Sequence, residues 1–482
     1  MDKTFCDALV RDSIGCYPSA TVACFDATTG ELPRRQLDAD RNIEFLERLG
    51  RLGVPAVLIA ASTGHGHVRS VDELREWFAV AARADLRRTV RVALLRPEDG
   101  RDANATLLDD LARLAYPIVF VRPGTDLSRN ASEDEIVRNV GSVVEAAAAR
   151  GFAVGIYSIP DVSGVRLTAN AAAKLVQGPG GQRIVAAKIT EADYETSTRP
   201  YLEHPQLKHL KIVQGWDPHL VRALQDGPRS DHQNRQRCGI TSGPMSLAVY
   251  QYLHLLDCSA REDWDEARAA QAAVTLLFQS MQDDPAKFAD LQRAKYIMGL
   301  GHPLLGAVTP EQTERVMTAL RSLPRREDRQ RLAMSLNLMR NGPCRDSLEL
   351  LTRSDLDTSL QQLREIVGGF VEERDWRQFH SPKNLSMALA IEAGELMEHF
   401  QWLTTDESRD LANDPIRLAA VAEELADVLG YTLAIANELG VDLSSAVLDK
   451  MAKNRAKYPA AEFRGRYRLN PRPASSSADD VK

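Results

Sequence analysis

The 482-residue sequence predicts a multidomain protein in which an N-terminal (β/α)8 TIM barrel is followed by a C-terminal all-α four-helix bundle. Three observations support this fold class. Up to about residue 242, short apolar and β-branched runs alternate with amphipathic helical segments. After residue 357 every apolar stretch has helical spacing. Between the two halves, PRRED (324–328) and NGPCRD (341–346) are charged and turn-forming breaks.

Eight apolar runs predict the strands of the barrel. They are 20–26, 54–60, 90–95, 116–121, 152–158, 183–189, 209–215 and 237–243. Near-continuous apolar runs indicate strands buried on both faces, as in a parallel sheet. Eight such strands, each followed by a helix, predict a closed barrel. An open doubly wound sheet is the alternative, although no G-x-G-x-x-G motif follows the first strand.

The second half predicts four helices, and local residues mark their ends. The helices are expected at 357–376, 382–402, 414–439 and 442–457. Pro382 and Pro415 suit first helical turns, and Gly440 suits a helix C-terminus. The expected domain limits are 1–323 for the barrel with its C-terminal helices, 324–356 for a linker, 357–468 for the helical domain and 469–482 for a disordered tail.

Composition narrows the class of protein. The formal net charge of -7 argues against a global electrostatic footprint for nucleic acid or an anionic membrane. No apolar run approaches the ~20 residues that span a bilayer, and the N-terminus lacks the pattern of a signal peptide. The six cysteines form no C-x-x-C pair, which suits a reducing compartment. We therefore expect a cytoplasmic protein with neither nucleic acid nor membrane as a partner.

Lys188 ends an otherwise apolar predicted strand, and Tyr157 stands near the end of the preceding one. The C-terminal ends of barrel strands form the face on which active sites are built. Burial lowers the pKa of a lysine, and its free amine can form a Schiff base with a carbonyl group. The alternative is a lysine that extends to the barrel rim and a tyrosine packed in the core. Spacing alone leaves both interpretations open.

Four stretches carry a family resemblance: ASTGHG (61–66), IYSIPDVSG (156–164), AAKIT (186–190) and GITSGPM (239–245). In this order they resemble the signature stretches of the dihydrodipicolinate synthase and N-acetylneuraminate lyase family, over about residues 15–320. The resemblance implies that Lys188 and Tyr157 are catalytic. Lys188 would form an imine with a 2-oxo acid such as pyruvate, and Tyr157 would shuttle a proton. Ser62 and Thr63 would bind the carboxylate of the oxo acid.

Several residues depart from that family's pattern. His65 follows Gly64, where family members usually carry a glutamate. Val162 stands where members that form dihydrodipicolinate have an arginine, and RPG (122–124) replaces a tyrosine-bearing stretch. These departures argue against lysine biosynthesis and leave the acceptor substrate unassigned. His65 and His67 could bind a metal, but two histidines on a glycine-rich loop are more often solvated.

Two pairs of carboxylates, each with a spacing of three residues, lie in the second half: Glu392 with Glu395, and Glu424 with Asp427. This spacing places both carboxylates of a pair on one face of a helix. Two such pairs on antiparallel helices can converge, and converging carboxylates repel unless cations neutralise them. All-oxygen ligation suits Mg²⁺ or Mn²⁺. The spacing alone does not decide between a metal site and two solvated acidic faces.

The blocks 370–402 and 423–459 contain these E-x-x-E and E-x-x-D motifs and end in K-M-x-x-N-R-x-x-Y-P. They closely resemble the MazG-like nucleotide pyrophosphohydrolases, in particular the all-α dCTP pyrophosphatase type. The resemblance implies Mg²⁺-dependent cleavage of a nucleoside triphosphate between the α and β phosphates, with the four carboxylates as metal ligands. The substrate-binding residues that it implies are Lys450, Asn454, Arg455 and Tyr458 at the phosphates, and Trp376, His380 and Trp402 at the base.

Together these features predict a bifunctional enzyme, a nucleoside triphosphate pyrophosphohydrolase joined to a Schiff-base aldolase or lyase, with no organic cofactor. One alternative is a non-catalytic barrel that serves as a scaffold or oligomerisation module. A second is a pair of binding modules for nucleotide and oxo-acid metabolites. The expected partners are a nucleoside triphosphate, a 2-oxo acid and further copies of the chain, since the related pyrophosphohydrolases are oligomeric.

Overall fold

The chain forms two compact units. The computed structural model describes residues 3–11, 18–24, 36–227, 237–282, 289–301, 308–355 and 358–465. The first unit ends at Thr352 and the second begins at Arg353. The predicted multidomain fold class is confirmed, whereas the predicted tail at 469–482 lies outside the described residues.

Eight parallel strands form the sheet of the first unit and follow one another in chain order. They are β1 (Pro18–Ala20), β2 (Ala56–Ile59), β3 (Val90–Leu95), β4 (Ile118–Val121), β5 (Ala153–Ser158), β6 (Ile184–Ile189), β7 (Lys211–Gln214) and β8 (Cys238–Ile240). The barrel closes where the amide of Ala20 donates a hydrogen bond to the carbonyl of Ser242, just after β8, over 3.4 Å. The predicted barrel is confirmed, and the open doubly wound sheet is excluded.

Helices connect the strands and continue after the last one. In the first unit they are α1 (Lys3–Arg11), α2 (Ala39–Arg51), α3 (Val71–Ala82), α4 (Arg101–Arg113), α5 (Glu133–Ala149), α6 (Pro160–Ser163), α7 (Ala169–Gln177), α8 (Tyr194–Glu203), α9 (Leu220–Asp226), α10 (Gly243–Leu247), α11 (Val249–Ala260), α12 (Trp264–Gln279), α13 (Ala289–Ile297), α14 (Pro310–Arg321), α15 (Arg326–Leu336) and α16 (Arg345–Thr352). Ser70 and Ser132 begin α3 and α5 with capping boxes, which satisfy the first amides of each helix.

Alternate residues of the strands pack into two separate cores. Phe120 and Tyr157 belong to the core inside the barrel. Their neighbours Val121 and Ile156 belong to the larger core between the sheet and the helices. Such alternation follows from the pleat of a strand. It determines which strand residues point into the barrel and can reach a cavity at its mouth.

The segment predicted as a linker, 324–356, differs in the structure. Helices α15 and α16 occupy most of it and belong to the first unit. Leu332, Leu336 and Leu348 are buried in the outer core of that unit. The charged and turn-forming breaks therefore overlap the starts of α15 and α16 within the first unit. The boundary between the units falls later, at Thr352.

The second unit is entirely helical in its described part. Its helices are α17 (Leu360–Glu372), α18 (Pro382–Glu398), α19 (Thr405–Asp410), α20 (Pro415–Leu439), α21 (Leu443–Lys457) and α22 (Ala460–Phe463). The four predicted helices are confirmed, with α17 and α18 a few residues shorter than expected. Pro382 and Pro415 are first residues of helices, and Gly440 follows α20 with a left-handed φ of 65°.

The helices of the second unit differ in how many of their side chains are buried. Helices α17, α18 and α20 pack together, with Val371, Leu385 and Leu433 in their interior. By contrast, α21 buries none of its side chains against the rest of the described unit. Its apolar residues Val447 and Leu448 are exposed. Among the described helices of the whole chain, none is long and apolar enough to cross a membrane.

Candidate active sites

A cavity of about 420 Å³ opens at the C-terminal ends of the barrel strands. Its lining consists of residues at or just after the ends of β2, β5, β6, β7 and β8, with a wall from α12 and α13. The polar and charged lining residues are Ser62, Thr63, Tyr157, Asp161, Lys188, Thr190, Asp217, Thr275, Gln279 and Gln282. The size admits a small organic acid together with a second small substrate. The cavity lies on the face where barrel active sites are built.

Lys188 and Tyr157 meet in this cavity. They are paired in register across β5 and β6, and the Lys188 Nζ lies 4.2 Å from the centroid of the Tyr157 ring. Lys188 is only 5% exposed. Burial lowers the pKa of its amine to about 7, while the negative charge of Asp217 opposes this shift. A substantial fraction of Lys188 is therefore a free amine at neutral pH, the form that attacks a carbonyl carbon.

The same buried environment shifts the pKa of Tyr157 in the opposite direction. Burial raises the pKa of its hydroxyl well above the usual value. The phenol is therefore protonated at neutral pH and sits beside the amine as a proton donor. A nucleophile and an acid in contact are the two groups that imine formation requires.

Ser62 and Thr63 form a tight turn at the edge of the cavity. They begin a 3-10 helix, Ser62–Gly64, whose first amides have no acceptor within the turn. Ala60 and His65 flank it with left-handed φ values of 66° and 56°. The Ser62 Oγ is buried and has no hydrogen-bond partner among the described residues. This arrangement presents hydroxyl and amide donors suited to a carboxylate.

Several cavity residues were not selected as site residues from the sequence, among them Thr190, Gly215 and Asp217. A Cβ atom on Gly215 would lie 2.1 Å from the Thr190 Oγ1 and 3.2 Å from the Lys188 Cε, so the absent side chain leaves room for the lysine. Asp217 accepts hydrogen bonds from the hydroxyls of Tyr252 and Ser242. All three follow the ends of strands, which is the signal that could have identified them.

The two histidines considered as metal ligands lie close together. The ring centroids of His65 and His67 are 5.9 Å apart, and His65 is fully buried. They do not belong to any group of three metal-ligating side chains among the described residues. A buried histidine in a strained turn fits a structural role.

In the second unit, three of the four predicted carboxylates converge, and Asp427 is not a member of this group. Glu392 and Glu395 on α18 and Glu424 on α20 each place one carboxylate oxygen within 4.8 Å of the others. The pKa of the Glu392 carboxyl is raised, mainly by partial desolvation. The negative charges of Glu395, Asp427 and Glu424 raise it further. The Glu424 Oε2 is shielded from solvent and accepts no hydrogen bond from the described residues. A buried carboxylate oxygen without a donor, among like charges, fits a divalent cation with oxygen ligands.

The residues expected at the base and phosphates are not assembled around this acidic cluster. Trp376 and His380 are neighbours, with ring centroids 6.4 Å apart. His380 borders a small cleft with Ala434 of α20, and Ala434 lies ten residues, about 15 Å, along that helix from Glu424. Trp402 is 87% exposed.

The phosphate-binding candidates share one helix and its end. Lys450, Asn454 and Arg455 lie on α21, and Tyr458 ends it. Apart from the half-buried Leu443 and Asn454, the residues of this helix are exposed. Within one chain the described residues therefore present the acidic cluster and the proposed phosphate contacts as separate surfaces.

A second group with metal-ligating side chains lies in the first unit. One ligand atom each of His254, Cys258 and Glu266 lies within 4.8 Å of the others. The Glu266 Oε1 already accepts from His254 over 2.7 Å and pairs with Arg325 over 2.6 Å. The Arg325 hydrogen bond is the main cause that lowers the pKa of Glu266 to about 2. Because a guanidinium already neutralises this carboxylate, the group is an ion-pair network between helices.

Comparison with known proteins shows what each unit is similar to. Residues 387–467 match the MazG-like family. Bovine dCTP pyrophosphatase 1 (Bos taurus) is 46% identical over 109 residues, which cover 23% of this chain and 64% of that protein. The human protein (Homo sapiens) is 48% identical over 104 residues, covering 22% of this chain and 61% of that protein. The chain thus spans less than two thirds of the length of these relatives, and the match lies in the helical unit.

The barrel has solved structural neighbours of one fold. A sialic acid aldolase of Ruminococcus gnavus superposes with a TM-score of 0.53 at 17% identity, covering 66% of this chain and 97% of that one. A dihydrodipicolinate synthase of Bacillus anthracis gives a TM-score of 0.53 at 16% identity, covering 65% and 99%. At such identities the likeness shows the fold. The chain therefore combines an aldolase-type barrel fold with a MazG-like region similar to dCTP pyrophosphatases, and the predicted resemblances are confirmed.

Proposed function

We propose that the second unit hydrolyses a nucleoside triphosphate, of the dCTP type, to the monophosphate and pyrophosphate. The observation that carries this proposal is the convergence of Glu392, Glu395 and Glu424, where the buried Glu424 Oε2 has no donor in the part of the chain that the structure describes. The similarity to dCTP pyrophosphatases falls on the same helices.

The acidic residues suit Mg²⁺, and Mn²⁺ is compatible with the same oxygen ligands. Glu392, Glu395, Glu424 and Asp427 would hold the ion or ions. When bound, such an ion offsets phosphate charge and lowers the pKa of a water that attacks phosphorus. A carboxylate of the cluster would accept the proton of that water.

The remaining residues bind the nucleotide. Lys450, Asn454 and Tyr458 are spaced one helical turn apart and share a face that can hold a departing pyrophosphate, with Arg455 adjacent. Trp376 and Trp402 would stack on the base, and His380 would hydrogen-bond its edge.

These surfaces are separate in one chain, so we further propose that a second copy completes the site. The exposed apolar side chains of α21 would then be covered in a homo-oligomer. An oligomer brings α21 of one copy to the acidic cluster of another, which the described residues of a single chain do not do.

The hydrolysis is tested with the full chain and a panel of nucleoside triphosphates in Mg²⁺. Pyrophosphate and the monophosphate should appear in equal amounts, and excess EDTA should abolish both. Release of orthophosphate in place of pyrophosphate, with pyrophosphatase excluded, would show that a different bond is cleaved. No turnover of any nucleotide would reject the proposal.

For the barrel we propose Schiff-base chemistry on a 2-oxo acid such as pyruvate. The observation that supports this proposal is that the Lys188 amine is buried against Tyr157, with its pKa lowered to about 7. The Lys188 nitrogen attacks the oxo carbon, and Tyr157 protonates the oxygen that leaves as water. Ser62 and Thr63 hold the carboxylate. The resulting imine accepts electrons, so an adjacent carbon–carbon bond can form or break.

Borohydride trapping tests this second activity. Pyruvate with borohydride should add a reduced pyruvyl mass at Lys188, and Lys188→Ala should remove it. Lys174→Ala, at an exposed lysine paired with Asp134, is the matched control and should leave the adduct in place. No adduct across a panel of 2-oxo acids would favour the alternative, a barrel that serves as a scaffold.

A further inference from the structure

The turn that begins at Ser62 depends on contacts from outside itself. Ala60 and His65 on either side of it have left-handed φ values, which are unfavourable for residues with a Cβ atom and persist only where surrounding contacts fix the backbone. The chain also folds back closely, since a Cβ atom on Gly66 would lie 1.8 Å from the carbonyl oxygen of Ala60. The Gly66 amide donates to the carbonyl of Ala61 over 3.1 Å. The position of Ser62 is therefore linked to that of Gly66.

Arg96 contacts this segment from the neighbouring strand. It directly follows β3, which pairs with β2, and it is 4% exposed. Its Nη1 donates to the carbonyl of Gly66 over 2.8 Å, and its Nη2 donates to the carbonyl of Arg69 over 3.0 Å. These carbonyls belong to the first residue of the 3-10 helix Gly66–Val68 and to the residue that follows it. One side chain therefore holds both ends of the segment that closes the Ser62 turn.

The guanidinium of Arg96 is itself fixed in orientation. Asp99, whose side chain is only 9% exposed, accepts from the Arg96 Nε over 2.9 Å and from the Nη2 over 2.5 Å. The side-chain amide of Asn104 donates to the Arg96 carbonyl over 2.8 Å. Because the two-point ion pair sets the plane of the guanidinium, it also sets where the carbonyls of Gly66 and Arg69 lie.

We propose that Arg96 is a positioning residue that fixes the donors of Ser62 and Thr63 for the carboxylate of the 2-oxo acid. The inference rests on the Schiff-base function proposed above. Ser62 and Thr63 line the cavity and Arg96 does not, so Arg96 acts through the turn. A fixed turn presents its donors to the carboxylate without reorganisation on binding. Loss of Arg96 weakens this binding, whereas the contact between Lys188 and Tyr157 depends on β5 and β6 and remains.

The test measures the rate of borohydride-trapped adduct at Lys188 in the full chain as the pyruvate concentration is varied. Arg96→Gln should raise the half-saturating concentration by ~10-fold or more, as for a displaced binding group. It should change the maximal rate by less than about twofold, because the attacking amine is unaltered. Acetone has no carboxylate, and its second-order trapping rate should be the same in the variant and in the unaltered protein.

Arg91→Gln is the matched control. Arg91 lies on β3 and donates to the carbonyl of Ala82 over 2.7 Å, so it bonds to a helix end and not to the turn. Its replacement should leave both the half-saturating concentration and the maximal rate unchanged. Because Arg96→Gln leaves Asp99 without its cation, Arg96→Gln/Asp99→Asn is a second variant in which neither charge remains. It should show the same rise in half-saturating pyruvate.

Two results would overturn the role of Arg96 while leaving the Schiff-base function intact. One is an unchanged half-saturating concentration of pyruvate, and the other is an equal loss of rate with pyruvate and with acetone. The pH midpoint of trapping should stay near 7 in every variant, since it reports the burial of Lys188. A midpoint shifted upward would show that the cavity has opened to water and would reject the specific role. Absence of adduct in the unaltered protein would reject the Schiff-base function as well.

Discussion

Lys188 and Tyr157 show how one environment gives two residues complementary chemistry. Removal from water disfavours the charged form of each group. It therefore lowers the pKa of the Lys188 amine and raises that of the Tyr157 hydroxyl. The sequence indicated both residues from their positions at strand ends. Their contact, and hence the direction of both shifts, depends on the pairing of β5 with β6.

The pH dependence of adduct formation follows from the lowered pKa of Lys188. Below pH 7 the amine is protonated and cannot attack, whereas above pH 7 it is free. The rate of trapping with saturating pyruvate should rise through a single ionisation near pH 7 and then level off. Trapping measured between pH 5 and 9 checks this. A midpoint near 10, the value of an exposed lysine, would contradict the burial argument.

Glu395 offers a test of the acidic cluster at a single position. Glu395→Gln retains the shape of the side chain but removes one charge that faces Glu392 and Glu424. Nucleotide turnover at fixed Mg²⁺ should fall by ~100-fold or more. Glu398→Gln, on the same helix and outside the cluster, is the control and should retain activity. Full activity of Glu395→Gln would contradict the metal assignment.

At the scale of elements, α18 and α20 together create the acidic cluster. The three-residue spacing within each motif could be derived from the sequence, because it follows from helical periodicity. The alignment of the two motifs across the helix pair could not, since it depends on how far each helix slides along the other. The predicted helix starts at Pro382 and Pro415 were confirmed because proline rules act locally.

Because the carboxylates on α18 and α20 repel one another, we expect Mg²⁺ to stabilise the second unit. Binding only to the folded form adds about 2.7 kcal/mol at 100 times the dissociation constant. Scanning calorimetry of the full chain should show the helical transition at higher temperature with Mg²⁺. Without Mg²⁺, Glu395→Gln should be more stable than the unaltered protein, and its response to Mg²⁺ should be weaker. Glu423→Gln, one residue from the cluster, should respond as the unaltered protein does.

At the scale of the whole molecule, two units with different internal packing share one chain. The first unit buries its helices against a closed barrel. The second exposes large apolar residues along α21, where Leu448 is 70% exposed. Such exposure on a compact unit is typical of an interaction surface. The boundary at Thr352 separates the two cores.

Separate expression tests this organisation. Fragments 1–352 and 353–482 should each fold, because each has its own core. Sedimentation should show that fragment 353–482 associates with itself, and Leu448→Glu should weaken this association by placing charges in the covered face. The exposed Glu462→Gln is a control for surface substitution. A folded fragment that stays monomeric at every concentration would contradict completion of the site by a second copy.

The sequence by itself determined the strand–helix alternation, the four later helices, their proline and glycine ends, and the residue types of both candidate sites. These features depend on short-range periodicity and on local backbone preferences. Only the tertiary structure decided that the helices between residues 326 and 352 pack into the outer core of the first unit, and that Gly215 and Asp217 line the same cavity as Lys188. Those outcomes depend on contacts between residues far apart in the chain, whose register and burial no local pattern specifies.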